Sequence, residues 1–388
     1  MEHRARINLD YASGAPLTRE ARAAMEAALQ DGGNPSAVTA EGRRAARRLA
    51  GARRQVAGLI GARPGEIVFT SCGTESNALA LRGLMAAHRR RGSHLIVSPI
   101  EHPSVLLAAR RLEREGASVT TLPVDGEGLI EPEALRAALT PETVLVSIML
   151  ANGEIGTVQP IRELAALARE AGAVFHTDAV AAAGLWPLNV MELGVDALSL
   201  SGSAFGGPPG AAALFCREGL RLLPLLEGGG QEDGARSGGE NLPALAGMGA
   251  AAEWAARELE PRTRQLGVLR DRLRDALAGI PGVRFHGSRD SRLPHHLHLT
   301  VEGVSSETLV LGLDQAGIAA GLGSACNSKA MRPSHVLIAM GLTEAEAAGA
   351  LVLTLGADTT HADIDEAARR ISGAIERLRR VTALTARA

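Results

Sequence analysis

Lysine is almost missing from this sequence: of its 41 lysines and arginines, only Lys329 is lysine. Arginine replaces a surface lysine without loss of charge, but its guanidinium forms no Schiff base, so any lysine chemistry in the chain has one candidate. Aromatics are scarce, with one Tyr, two Trp and five Phe, which leaves no material for base-stacking platforms. Three cysteines, Cys72, Cys216 and Cys326, are too few and too scattered for a disulfide framework. A formal net charge of −2 gives no whole-molecule bias toward nucleic acid or membrane. Residues 1–10 are charged and lack an apolar signal core, and no apolar run is long enough to span a bilayer. These absences lead us to expect a soluble, reduced, cytoplasmic protein with no nucleic-acid and no membrane partner.

What is present is an alternation. Helical spacing over residues 45–60 gives way to a strand at 66–70 and then to Gly73-Thr74-Glu75-Ser76, which opens a helix. Short apolar runs follow at 94–98, 119–123, 144–150, 173–177 and 197–201, with amphipathic helical stretches between most of them. Buried strands alternating with helices predict an α/β protein with a mostly parallel central sheet covered on both faces. Past residue 242 the pattern changes to two long helices, at 244–259 and 263–278, and then to shorter elements that include a strand at 297–301 and a helix at 306–316. The expected organisation is a large domain over 17–250. A smaller α/β domain would be built from 1–16 and 251–388 and carry the Cys326 loop.

Several segments, taken in order, resemble the cysteine desulfurases, class V members of the fold type I pyridoxal-phosphate (PLP) enzymes. They are Leu9-Asp10-Tyr11, Gly33-Asn34-Pro35-Ser36, Phe69-Thr70-Ser71-Cys72-Gly73-Thr74-Glu75-Ser76-Asn77 and Glu101-His102. Glu154-Ile155-Gly156-Thr157-Val158-Gln159, His176-Thr177-Asp178-Ala179, Gly228-Gly229-Gly230-Gln231-Glu232, Arg236-Ser237-Gly238 and Gly323-Ser324-Ala325-Cys326 follow. The resemblance implies the fold type I PLP-transferase architecture and a homodimer that exchanges sulfur with a donor or acceptor protein. It also implies site roles. Asp178 pairs with the pyridinium nitrogen, His102 stacks on the ring, Gly73, Thr74 and Ser201 hold the phosphate, and Cys326 is the nucleophile that takes up sulfur as a persulfide.

Other positions depart from the family. Its Ser-(Ala/Gly)-His-Lys before a Gly-Pro-Lys-Gly turn is Ser201-Gly202-Ser203-Ala204 before Gly207-Pro208-Pro209-Gly210, which puts Ala204 at the position of the PLP lysine. Gly153, Ala181, Gly239, Val352 and Leu150 stand where the family has Asn, Gln, Thr, the substrate-carboxylate Arg and His. The expectation is therefore a dismantled PLP site with no covalent PLP, any PLP being held non-covalently and weakly. The chain would act as a sulfur carrier or scaffold through Cys326, or as a cluster ligand. The alternatives are a desulfurase using non-covalent PLP and a structural subunit paired with an active paralogue.

Lys329, three residues after Cys326, reads as a solvated loop residue, as a cation that favours the reactive thiolate, or as a Schiff-base lysine relocated to the loop. Cys72 and Cys216 read as buried small hydrophobes. His296 and His298 fall on one strand face, beside His295, but no carboxylate or Cys follows at ligand spacing, so no metal site is assigned and Cys326 is the one candidate ligand. Arg43, Arg44, Arg47, Arg48, Arg53 and Arg54 read as the solvated face of a helix, or as a seat for an acidic protein partner.

Overall fold

The computed structural model describes residues 6–322 and 333–385. In chain order its strands are β1 (Ile7–Leu9), β2 (Ile67–Thr70), β3 (His94–Val97), β4 (Ser118–Thr121), β5 (Thr143–Ser147) and β6 (Val174–Asp178). There follow β7 (Ala197–Ser201), β8 (Ala212–Cys216), β9 (Val283–His286), β10 (His296–Val301), β11 (Ile318–Ala320) and β12 (Ala350–Thr354).

A seven-stranded sheet in the order β2-β8-β7-β6-β5-β3-β4 forms the centre. Its pairs from β7 through β6, β5 and β3 to β4 are parallel, and β8 runs antiparallel to both β7 and β2. Every residue of β3, β5, β6 and β7 is buried. Strands covered on both faces read as continuous apolar runs, which is why the alternation predicts a parallel sheet. The strand at β8 is missing from the sequence reading because Ala212-Ala213-Leu214-Phe215-Cys216 has no β-branched residue to mark it as a strand, although the Gly207-Pro208-Pro209-Gly210 turn precedes it.

Beyond this sheet, β12, β10 and β9 form an antiparallel three-stranded sheet, and β1 pairs in parallel with β11. Leu297, Leu299, Leu351, Leu353, Leu269 and Leu273 pack into the core beneath it. The sequence divides residues 244–278 into two helices at Pro261, but one helix runs unbroken from Leu242 to Ala278 with Pro261 inside it. Proline there removes one N–H bond, but packing of the helix on both sides keeps it whole: Ala251, Ala252 and Ala255 on one side of Pro261 and Leu266, Leu269 and Leu273 on the other are buried. At about 1.5 Å per residue it is long enough to reach from the large-sheet core to the small one.

One glycine decides how the N-terminal segment seats. A Cβ at Gly356, just after β12, would collide with the Tyr11 ring. Ala12 N–H also donates to Thr354 Oγ1 at 2.9 Å. The segment after β1 is thus stitched to the end of β12.

Leu299 is wholly buried between β9 and β12. Leu299→Ala is expected to lower stability by about 2–5 kcal/mol in urea unfolding, the range for a leucine-sized cavity that cannot collapse. A loss under about 1 kcal/mol would show that this core is loosely packed.

Candidate functional site

Parallel strands of the large sheet end at one edge, and a cavity of about 780 Å³ lies there. Open α/β sheets bind ligands outside the carboxyl ends of their strands, because loops and helix N-termini converge there. Gly73, Thr74, His102, Asp178, Ser201 and Ala204 all line this cavity. The first two open the helix Gly73–His88 after β2, Asp178 ends β6, Ser201 ends β7, and Ala204 sits in the 3-10 turn Gly202–Phe205. His102 N-caps the helix Pro103–Arg114, its Nδ1 2.7 Å from Ser104 Oγ.

Asp178 is buried, and each carboxylate oxygen has one donor: Val180 N–H at 2.9 Å on Oδ1 and Asn77 Nδ2 at 2.6 Å on Oδ2. Burial raises its pKa, and these two hydrogen bonds and nearby His102 oppose the rise. Two further buried carboxyls line the cavity. Burial pushes Glu101 up to about 8, Asp178 adding to the rise, although Ser98 Oγ and Met149 N–H both donate to its Oε1. Glu154 is pushed up to about 7 by burial, with Ser334 opposing. Glu101 therefore enters neutral solution largely protonated.

The three histidines of the β10 region are buried together. His296 Nε2 lies 2.8 Å from the Gly153 carbonyl oxygen, and its Nδ1 lies 3.1 Å from His295 Nε2. His298 Nε2 is 3.7 Å from Glu154 Oε1, beyond hydrogen-bond reach, and neither atom has a partner. A carboxyl thus does approach this strand face, from a loop far away in sequence that local spacing could not reveal. Burial holds His295 and His298 well below the usual histidine range and lowers His296 to about 4, so all three are neutral. Among the described residues no group of three or more His, Cys, Asp or Glu is arranged to hold a metal.

Two cysteine expectations are corrected. Cys72 is exposed, not buried, because it is the extended N-cap residue between β2 and the helix it opens. Cys216 is half-buried at the end of β8, and burial pushes its thiol up to about 11, a poor nucleophile at neutral pH. Cys326 and Lys329 lie outside the described residues. The arginine-rich helix Ala40–Leu59 is less open than its sequence suggests. Arg53 forms a two-pronged pair with the buried Glu232, and its guanidinium lies 4.6 Å from the Phe69 ring centroid.

Residues 7–366 match the aminotransferase class-V family. The chain belongs to that family. The cysteine desulfurase IscS of Methanosarcina thermophila is 42% identical over 380 residues, which cover 98% of this chain and 94% of that protein. An IscS-like cysteine desulfurase of Mycobacterium tuberculosis is also 42% identical, over 96% of this chain and 97% of its own length. Among solved structures, a NifS-like protein superposes with a TM-score of 0.90 at 31% identity, covering 96% of this chain and all of that one. DndA from Streptomyces lividans superposes at 0.76 with 32% identity, over 87% of this chain and 96% of its own. The expected fold type I architecture is therefore the observed one.

The expectation of no covalent PLP is overturned. Relatives 42% identical over nearly the whole chain are cysteine desulfurases, a class that carries PLP covalently, and this outweighs an argument from Ala204 and the few departures around it. The cavity also fits the group. An open helix N-terminus at Gly73 and Thr74 suits a phosphate, and the buried Asp178 suits a ring N–H. A Cβ at Gly73 would sit 2.8 Å from Val180 Cγ2, so only glycine leaves this cradle open. As the only lysine in the chain, Lys329 is its single ε-amine for attachment.

The buried groups set the pH dependence of stability. His295, His296 and His298 stay neutral when folded but protonate near 6.5 when unfolded, so stability falls as pH drops below about 6.5. Glu101 and Glu154 keep protons that the unfolded chain releases near 4.5, so what they contribute is lost as pH rises from about 4.5 to about 8 and about 7; this opposes the more numerous histidines below 6.5 and acts alone above it. Urea unfolding across pH 4–9 is expected to peak near neutrality. His298→Asn should flatten the acid limb by up to about 1.4 kcal/mol per pH unit, one proton's worth. An acid limb unchanged by the substitution would contradict the assignment.

Proposed function

We propose that this class V protein handles sulfur through Cys326, accepting it as a persulfide and passing it to a partner protein. The observation that carries the reading is the run Gly323-Ser324-Ala325-Cys326, kept in a chain that matches cysteine desulfurases along almost its entire length. In this reading Ala204 stands at the family's lysine position and Val352 at that of its carboxylate arginine, so the cavity is rebuilt around the ring- and phosphate-binding residues that remain. Gly73, Thr74 and Ser201 would hold the phosphate of PLP, Asp178 its ring nitrogen, and His102 its face. When bound, PLP supplies an electron sink for a substrate carbon. Lys329, three residues from Cys326, would favour the thiolate. The protein would be a cytoplasmic homodimer, with a large domain over 17–250 and a small one formed by 1–16 and 251–388. No helix among the described residues is long and apolar enough to cross a membrane.

Loading begins with attack of the Cys326 thiolate on the outer sulfur of a persulfide donor. The S–S bond breaks, its electrons leave with the donor thiolate, and Cys326 keeps the extra sulfur. After loading with a small-molecule persulfide and removal of excess, dithiothreitol is expected to release about one sulfide per chain. Cys326→Ala should release almost none, while Cys72→Ser and Cys216→Ser should match the parent. Equal release from Cys326→Ala would end the proposal.

The relatives favour a second reading, in which the chain itself turns over L-cysteine. One solved relative is described as SspA in complex with cysteine, at 34% identity. Borohydride reduction in the presence of PLP, with peptide mapping, separates the readings. An adduct on Lys329 together with alanine formed from L-cysteine supports turnover. Neither signal appearing removes that reading and leaves the carrier.

A further inference from the structure

The resemblance assigns two cations to the cavity, and neither position has one here, since 204 is alanine and 352 is valine. The arginines that line the cavity are Arg19, which is exposed, and Arg262. Arg262 comes from the long helix Leu242–Ala278, one residue past Pro261. Its guanidinium lies 4.5 Å from the Trp254 ring centroid, on the same helix, and Nη2 donates to the Gly184 carbonyl. Gly184 in turn packs on the residue after Ala204, because a Cβ on it would lie 2.8 Å from Phe205 Cβ and 3.4 Å from Arg262 Nη2. The arginine head thus stands beside the turn that carries Ala204.

Its electrostatics are unbalanced. Arg262 Nε is buried without a partner, and no carboxylate among the described residues forms an ion pair with it. The nearest acid it senses, Glu258, is paired with Arg257 at 3.0 Å. Next to it His295 is neutral, with Nδ1 also unpartnered. Burial lowers Arg262 to about 10, which leaves it fully charged at neutral pH. A half-buried cation held on an indole face at the wall of a cavity, with no ion-pair partner among the described residues, is matched by an anion, and a planar carboxylate fits a guanidinium.

We propose that Arg262 is the carboxylate-binding residue of this cavity, seating the carboxylate of a small amino acid in place of the arginine that the resemblance puts at Val352. The phosphate-type seat at Gly73 and Thr74 is separate from it, at the N-terminus of a different helix. The assignment rests on the second reading, turnover of L-cysteine, only for its substrate class, amino acids.

Isothermal titration of the protein as purified with L-alanine, L-alaninamide and inorganic phosphate tests it. L-alanine is expected to bind, and L-alaninamide, which lacks the carboxylate, to bind at least about tenfold more weakly. Arg262→Gln should lose alanine binding by at least about tenfold and leave phosphate binding unchanged, while Arg262→Lys, which keeps charge without the fork, should fall between. Equal binding of alanine and alaninamide by the parent protein would overturn the assignment without reference to any variant. Alanine binding unchanged in a folded Arg262→Gln protein would also overturn it, leaving Arg262 a structural cation on Trp254. Cys326→Ala should bind alanine normally, so failure of the sulfur reading and failure of this one appear in different measurements.

Discussion

Asp178 is the constraint around which the site is organised. A carboxylate buried at the end of a parallel strand has lost its water and must be held by protein donors. One donor is its own loop, through Val180 N–H, and the other is Asn77, from the helix that opens at Gly73. That second bond ties the helix to the strand, so the helix N-terminus at Gly73 and the Asp178 carboxylate keep a fixed relation. Asn77 also donates to Ser104 at 2.9 Å, which brings the His102 helix into the same network. Strand, helix and His102 are thus positioned by one buried acid and one amide.

Around that network the cavity is unusually rich in groups held neutral by burial. Glu101, pushed up to about 8, is largely protonated at neutral pH and Glu154, at about 7, about half so, and the histidines of the β10 region are uncharged. In such surroundings a half-buried charge without an ion-pair partner among the described residues stands out, and Arg262 is such a charge. An anion seated against its guanidinium would supply the missing counter-charge.

Much of the fold could be read from the chain. Fully apolar runs such as Val144-Leu145-Val146 mark buried parallel strands, and Gly73-Thr74 after β2 marks a helix start. The residues gathered at the strand ends were legible as well, because they lie in local motifs. Other features were not. Cys72 looks like core from composition but is an exposed N-cap, a matter of backbone direction that no pattern shows. Pro261 signals a break, yet tertiary packing carries the helix through it. The approach of Glu154 to His298, and of Arg262 to Gly184, joins residues more than seventy positions apart, and nothing local announces either. Ala204 and the departures around it led to an expectation about cofactor attachment that the relatives reverse, which shows how little a handful of positions decides against a whole chain.

The claim on which the account turns is that Cys326 is where this protein carries sulfur. The most direct measurement is peptide mass spectrometry of the protein isolated from its own cells under non-reducing conditions, with thiols blocked at lysis and no sulfur donor added. The account predicts a fraction of the Cys326 peptide one sulfur heavier, with Cys72 and Cys216 unmodified. A Cys326 peptide that is always the plain thiol, in cells where sulfur transfer is active, would contradict it.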